Sequence, residues 1–262
     1  KILNANFLFS KKENEIYKNL ISIIKTNARL IASTSDVIAR IDVAQSWANY
    51  SIKYNAVRPT LLQNKDFTII DGRHPAVEKS HSTKFISNSC ILKEEDNKFF
   101  KLITGPNMSG KSTYLRQNAI ILIMAQAGGF CPAKEVTLGV CDKLFCRVGS
   151  GDELAKGNST FMVEMLETAN ILNSATDKSL VILDEIGRGT STFDGISIAW
   201  ATSEYLLEKI KCKVLFATHY NELSNLEKKF KGLDLNTFRV KEWKGELIFL
   251  YEIIRGLAES SY

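Results

Sequence analysis

The chain has 262 residues, 45% of them hydrophobic, and a formal net charge of +5. That length can bury a substantial core in one large or two smaller domains, and the composition is ordinary for a globular protein, without repeats or low-complexity tracts. The positive balance permits a polyanion partner, but the lysines are scattered with no aromatic-interleaved basic run, so charge alone does not establish nucleic-acid binding.

The longest apolar stretch, AIILIMAQAGGF from Ala119, is too short to span a bilayer and is interrupted by Gln126, and the first residues do not read as a secretory leader. Five cysteines (Cys90, Cys131, Cys141, Cys146, Cys212) and three histidines (His74, His81, His219) make no Cys-x-x-Cys pair and no metal-ligand spacing. The expectation is a soluble intracellular protein with reduced, mostly buried thiols. Without an initiator Met, and stopping at Ser-Ser-Tyr262 just after the apolar run FLYEI, the sequence reads as cut at both ends.

In chain order, the first element is helical. From about Glu13 to Tyr54, apolar residues recur near i, i+3, i+4 (Ile16, Leu20, Ile23, Ile24, Leu30, Ile31, Ile38, Ile41, Val43, Trp47) with neither Gly nor Pro. Ser33-Thr34-Ser35-Asp36 could cap a second helix; unbroken, ~40 residues at ~1.5 Å each reach roughly 60 Å. Arg58-Pro59 is expected to end the arm.

Beyond Pro59, short apolar strands alternate with helices. FFKLITG (99 to 105) runs into a Gly-rich turn and a helix to about Gln126. SLVILDE (179 to 185) precedes a helix from about Asp194 to Ile210, and KVLFATH (213 to 219) follows. Continuous apolar strands alternating with helices indicate an α/β fold whose sheet has a parallel core covered on both faces.

Gly105-Pro106-Asn107-Met108-Ser109-Gly110-Lys111-Ser112 fits G-x-x-x-x-G-K-[ST] between a predicted strand and a predicted helix, the context this phosphate-binding motif requires. Its glycines let backbone N–H groups turn toward phosphate oxygens, and the following helix aims its positive end at the same anion. Lys111 is expected to reach the β and γ phosphates and Ser112 to ligate Mg²⁺. At the end of the next apolar strand, Asp184 can hold the Mg²⁺ shell while Glu185 orients or deprotonates the attacking water. His219 ends a third strand in ATHY; by default a satisfied polar residue, at the C-terminal rim of such a sheet it becomes a contact to the γ-phosphate or its water.

GNSTFMVEM, residues 157 to 165, opens an apolar helix with polar residues. An ordinary N-cap accounts for Ser159 and Thr160, since a side-chain oxygen satisfies one of the helix's orphan N–H groups.

Together, GPNMSGKST at 105, GNSTFMVEM at 157, LDEIGRGTSTFDG at 183 and ATHY at 217 resemble the MutS family of DNA mismatch-repair ATPases. GRHPAVE at 72 and YEIIRGLAESSY at the end resemble the same family's flanking elements. The resemblance implies a P-loop NTPase of ABC-ATPase type, a mixed and largely parallel sheet flanked by helices, over residues 61 to 262. A helical arm over residues 1 to 60 would be the end of the core or lever region. It implies ATP and Mg²⁺ as ligands and a head-to-tail homodimer whose composite sites are completed by the opposite subunit. Ser159 would then face the phosphate bound by the partner's Lys111, beyond any capping role. The same resemblance puts Asn107 and the neighbouring Ser109 and Thr113 on the phosphates, Phe85 on the adenine, and Arg188 and Asp194 in a loop facing the other subunit. His74 would support its loop. Mismatched DNA would be read by parts with no counterpart here, the Phe-x-Glu reader, the connector and most of the clamp, and a C-terminal helix-turn-helix would lie beyond Tyr262. A MutL-type partner and a bacterial cytoplasmic location are further implications. Gly151, Lys156 and Asn158 depart from the family's usual residues at the start of the signature helix.

Two other readings stay open. The chain could be a nucleotide-gated dimerisation module with negligible turnover, or an ABC or SMC-like ATPase of another process, although the transporter signature Leu-Ser-Gly-Gly-Gln is absent. A small-molecule kinase would need a substrate lid that nothing announces.

Overall fold

The computed structural model describes residues 2–80, 85–148, 160–243 and 246–257. The chain divides into two compact units, Lys1–Tyr50 and Ser51–Tyr262. The first consists of most of helix α1 (Ile2–Tyr54). This helix starts well before Glu13 and is not interrupted at Ser33–Asp36. Ser33 donates its hydroxyl to the Leu30 carbonyl at 3.0 Å, bonding back into the same helix instead of capping a new one. Many of its apolar residues, among them Ile16, Leu20, Ile23 and Ile38, are exposed. The helix stops at Tyr54, where the apolar pattern placed its end, but the residue that stops it differs from expectation. Asn55 takes a left-handed φ of 46° directly after Tyr54, so an Asn at the C-terminal cap ends the helix before the chain reaches Arg58-Pro59.

In the second unit the strands are β1 (Thr60–Leu62), β2 (Phe67–Gly72), β3 (Asn88–Leu92), β4 (Phe100–Thr104), β5 (Glu135–Gly139), β6 (Leu144–Arg147), β7 (Leu180–Asp184), β8 (Lys213–Ala217), β9 (Leu233–Trp243) and β10 (Glu246–Arg255). The helices are α2 (Pro75–Ser80), α3 (Lys111–Gln126), α4 (Thr160–Ser174) and α5 (Thr192–Tyr205). After α5 the chain adds one π turn, Leu206–Ile210, where a continued helix was expected.

Six strands form a sheet in the order β10-β9-β4-β8-β7-β6, parallel throughout except for the antiparallel β10. The central strands β4, β7 and β8 are buried at every residue, which is why they read as unbroken apolar runs rather than as alternation. Their side chains still alternate between two cores. Ile103, Ile182 and Leu215 pack with Leu115, Ile121 and Leu122 of α3, whereas Leu102, Val181, Val214 and Phe216 pack with Ala199 of α5, Leu206 and Leu223. Each such side chain, fully buried, contributes ~1.5–3 kcal/mol before the entropy of ordering it is counted.

A second, four-stranded sheet in the order β1-β5-β2-β3 covers the α3 side. It is antiparallel except for the β1–β5 pair. Its strands are three to six residues long with partly exposed faces, too short and too weakly patterned to stand out in a reading tuned to strand–helix alternation. Among the described residues no helix is long and apolar enough to cross a membrane. Four cysteines are buried free thiols, and Cys146 is exposed.

Candidate functional site

At the C-terminal ends of β4, β7 and β8 three loops meet. The first is the turn from β4 into α3. Gly105 and Gly110 have φ of 134° and 104°, values that an L side chain adopts only under strain. These two glycines turn the backbone around the start of α3. Lys111 is the first residue of that helix and only 4% exposed. Its ammonium donates to the carbonyls of Gly105 at 2.8 Å and Pro106 at 2.9 Å, so it is held at the foot of the cleft rather than free to swing. Burial pushes the Lys111 pKa down, and the carboxylates of Glu185 and Asp184 oppose that shift. Ser109 is buried with its hydroxyl unpartnered, while Met108 stands 85% exposed.

The second loop leaves β7. Asp184 is buried and its Oδ1 has no protein partner. Burial raises its pKa, and a hydrogen bond from Ser112 works against that rise. A hydroxyl and a carboxylate oxygen side by side, one of them unsatisfied, are the hard donors that suit Mg²⁺, which takes its remaining ligands from phosphate and water. The residues present therefore fit the ion. Glu185 follows with φ of 57°, a strained position of the kind that collects at functional sites. Three basic side chains surround its carboxylate. His219 Nε2, from the end of the β8 segment, contacts Oε1; Arg188 contacts Oε2; Lys111 Nζ lies 4.0 Å away. The hydrogen bond from His219 is the main cause that lowers the Glu185 pKa, so the group is anionic at neutral pH.

The turn after Glu185 is packed without slack. Gly187 has φ of 91°, and a Cβ built there would meet Gly195 Cα at 2.6 Å and Gly195 O at 2.7 Å. Gly187→Ala is expected to destabilise the fold by about 2–4 kcal/mol, combining overpacking with left-handed strain. Thermal unfolding checks this, and a melting temperature within about a degree of wild type would refute it. Asp194 has a local task, since Ser191 caps α5 by accepting from the Asp194 amide at 3.3 Å.

Beside these groups lies a cavity of about 450 Å³ lined by Phe85, Asn107, residues 108 to 113 and Glu185. Phe85, Asn107, Lys111, Ser112, Thr113 and Glu185 thus come together. Asp184 joins through Ser112 and His219 through Glu185. Ser159 lies outside the described residues, and α4 is described from Thr160. His74 accepts from the Val77 amide at 3.3 Å and shapes the start of α2.

Several lining residues were not anticipated. Ile86, Phe238 of β9 and Tyr251 of β10 also face the cavity. Tyr251 does so from an irregularity in the β9–β10 pairing, and nothing in the run LIFLYEIIR signals one. Glu164 of α4 is buried and accepts from the Gly187 amide, tying α4 to the Glu185 loop, and its other oxygen is 3.6 Å from Arg147. A Glu in a helix ordinarily reads as solvated.

Residues 101–262 match the family model of MutS domain V. Over the whole chain, identity is 47% to the DNA mismatch repair protein MutS of Paracoccus denitrificans, of which it covers 30%. Against the same-named proteins of Clostridium novyi and Thermodesulfovibrio yellowstonii it is 49% and 48%, again over all of this chain and 29% and 31% of theirs. The chain thus spans just under a third of the length of these relatives. A glycine-flanked turn from strand into helix, an Asp-Glu strand end, and a family match over residues 101–262 agree: the chain belongs to the MutS family and carries its domain V.

Proposed function

We propose that the chain is the ATP-binding and ATP-hydrolysing dimerisation domain of a MutS-type mismatch-repair protein, with a P-loop fold of ABC-ATPase type. The observation that carries the reading is the convergence of Lys111, Ser112, Asp184, Glu185 and His219 at the C-terminal ends of three parallel strands. Ligands of open α/β sheets bind at that edge.

In this reading the backbone N–H groups of residues 105 to 113 hold the phosphates at the N-terminus of α3. Lys111 neutralises charge on the β and γ oxygens. Mg²⁺, held by Ser112 and Asp184, would withdraw further charge from those oxygens. Glu185 accepts a hydrogen bond from the attacking water and orients its oxygen toward the γ-phosphorus; His219, already in contact with Glu185, fixes that carboxylate. The water oxygen bonds to phosphorus as the bond to the β–γ bridging oxygen breaks and the water's proton passes to Glu185, giving ADP and phosphate. Phe85 packs against the base.

The homodimer would be head to tail, with Ser159 and the start of α4 completing the partner's site. Exposed apolar side chains support an association surface: Met108 on the cleft's rim and Phe193 at the start of α5, each at 85%, and Met162 on α4 at 52%. ATP would favour the closed dimer, because only there are its phosphates held from both sides, and α1 would carry that bias to DNA-encircling parts outside this chain. Mismatched DNA, a MutL-type partner and the bacterial cytoplasm complete the proposal. A second reading, nucleotide-gated association with negligible turnover, has one observation in its favour: Glu185 is engaged by Arg188 and His219 within a single chain.

Turnover per subunit measured against protein concentration separates the two. A rising rate supports composite sites, and ATP binding with flat, negligible turnover supports the second reading. Ser159→Ala is expected to leave nucleotide binding by dilute protein within about twofold while weakening ATP-dependent association about tenfold, ~1.4 kcal/mol. Sedimentation with and without a non-hydrolysable ATP analogue measures it; a change confined to melting temperature would leave Ser159 as a helix cap only.

A further inference from the structure

The cleft has two walls that come from distant parts of the chain. One is the segment before β3, carrying Phe85 and Ile86; the other is β10, carrying Tyr251. β10 reaches the cleft only because its pairing with β9 is interrupted. Phe249 pairs with Val240 and Ile253 with Phe238, so β10 spends four steps where β9 spends two. Within that bulge Tyr251 adopts a φ of 54°, strained for a bulky aromatic residue. Bulges of this kind re-aim a side chain, and they persist only where the surroundings hold them.

One side chain holds this one. Asn88 is buried, and its amide nitrogen donates to the carbonyl of Tyr251 at 2.8 Å and to that of Ile86 at 3.3 Å. Its amide oxygen accepts from the backbone N–H of Ile253 at 2.8 Å. The Asn88 backbone is anchored in turn, because Gln117 of α3 donates to its carbonyl at 3.2 Å. A single carboxamide therefore joins both walls and grips the bulge at its strained residue and again two residues further on. Only an amide supplies two donors and an acceptor in this geometry; an isosteric carboxylate would turn its oxygens toward two carbonyls.

We propose that Asn88 is a positioning residue for the nucleoside half of the ligand: it sets the gap between the Phe85–Ile86 wall and Tyr251 without touching the phosphates. This deepens the nucleotide-site reading and rests on it. Loss of Asn88 should therefore weaken recognition of the base and ribose and leave recognition of the phosphate chain intact, whereas general damage to the fold would weaken both.

The test is calorimetric titration of the full chain with Mg²⁺ and two probes, a non-hydrolysable ATP analogue and inorganic tripolyphosphate. Asn88→Ala is expected to raise the Kd of the ATP analogue about tenfold and to leave that of tripolyphosphate within twofold. Tyr251→Ala, at a half-exposed position, is expected to give the same split, and the double variant no more than the larger single effect, since both remove one wall. Should Asn88→Ala fail to fold, Asn88→Ser removes the same bridge with a smaller change in polarity and is read in the same way. Equal weakening toward both probes, no change toward either, or full additivity with Tyr251→Ala overturns the positioning role. If the wild-type protein binds neither probe, the nucleotide reading itself fails, and this proposal with it.

Discussion

Glu185→Gln is expected to lower the turnover of bound ATP by roughly 10²–10⁴-fold, the usual worth of a positioned acid–base group, while ATP binding stays at least as tight as in the wild type. The two effects have opposite signs for one reason. Glu185 is an anion held beside Lys111, Arg188 and His219, and its pKa is lowered chiefly by the His219 hydrogen bond. Removing that charge removes repulsion between the carboxylate and an incoming triphosphate, and it frees Arg188, the cation in direct contact with Glu185, to face the phosphates. The amide keeps the shape and one acceptor oxygen, but it can neither take a proton from water nor stabilise positive charge developing on it. Single-turnover rates with a parallel equilibrium titration measure both quantities. Equal loss of binding and hydrolysis would contradict the role assigned to Glu185 and place it among the structural ion pairs.

How far the sequence foretells this site depends on what each residue's role requires of its neighbours. That Lys111, Ser112, Asp184 and Glu185 share one cleft is legible because each belongs to a local device, a glycine-flanked turn between strand and helix or an acidic pair closing a fully buried strand. The ends of β4, β7 and β8 follow from unbroken apolar runs. Asn88, Tyr251 and Glu164 are not legible, because their partners lie far along the chain: Asn88 reaches Tyr251 and Ile253 across two sheets, and Glu164 reaches Gly187 from another helix. Neither an Asn opening a strand nor a Glu within a helix carries a pattern that announces such a contact. The end of α1 is legible at Tyr54 while its cause is not. Pro59 is the stronger breaker by rule, yet Asn55 acts first by adopting the left-handed conformation, a choice that depends on side-chain chemistry and not on periodicity.

Lys111→Ala is expected to weaken binding of ATP and of tripolyphosphate alike by at least a hundredfold, ~3 kcal/mol, a loss on the scale of one or two charge-assisted hydrogen bonds. The size of the effect comes from what stays behind. With the ammonium gone, Asp184 and Glu185 face the cleft with Arg188 as the remaining neighbouring cation, so the charge balance at its foot is expected to turn against an anion. Lys111→Arg should not rescue it. The side chain is 4% exposed and its nitrogen is fitted between the Gly105 and Pro106 carbonyls at 2.8 and 2.9 Å; a planar guanidinium is larger and presents its donors as a fork, so it overfills the turn before it can reach a phosphate. Lys111→Met, which keeps the length of the stem, should resemble Lys111→Ala in binding and exceed it in melting temperature. That ordering separates loss of charge from loss of packing. Retained tripolyphosphate affinity in Lys111→Met would mean that the backbone amides and α3 alone hold the phosphates, and the ammonium would then act on the transition state and not on binding.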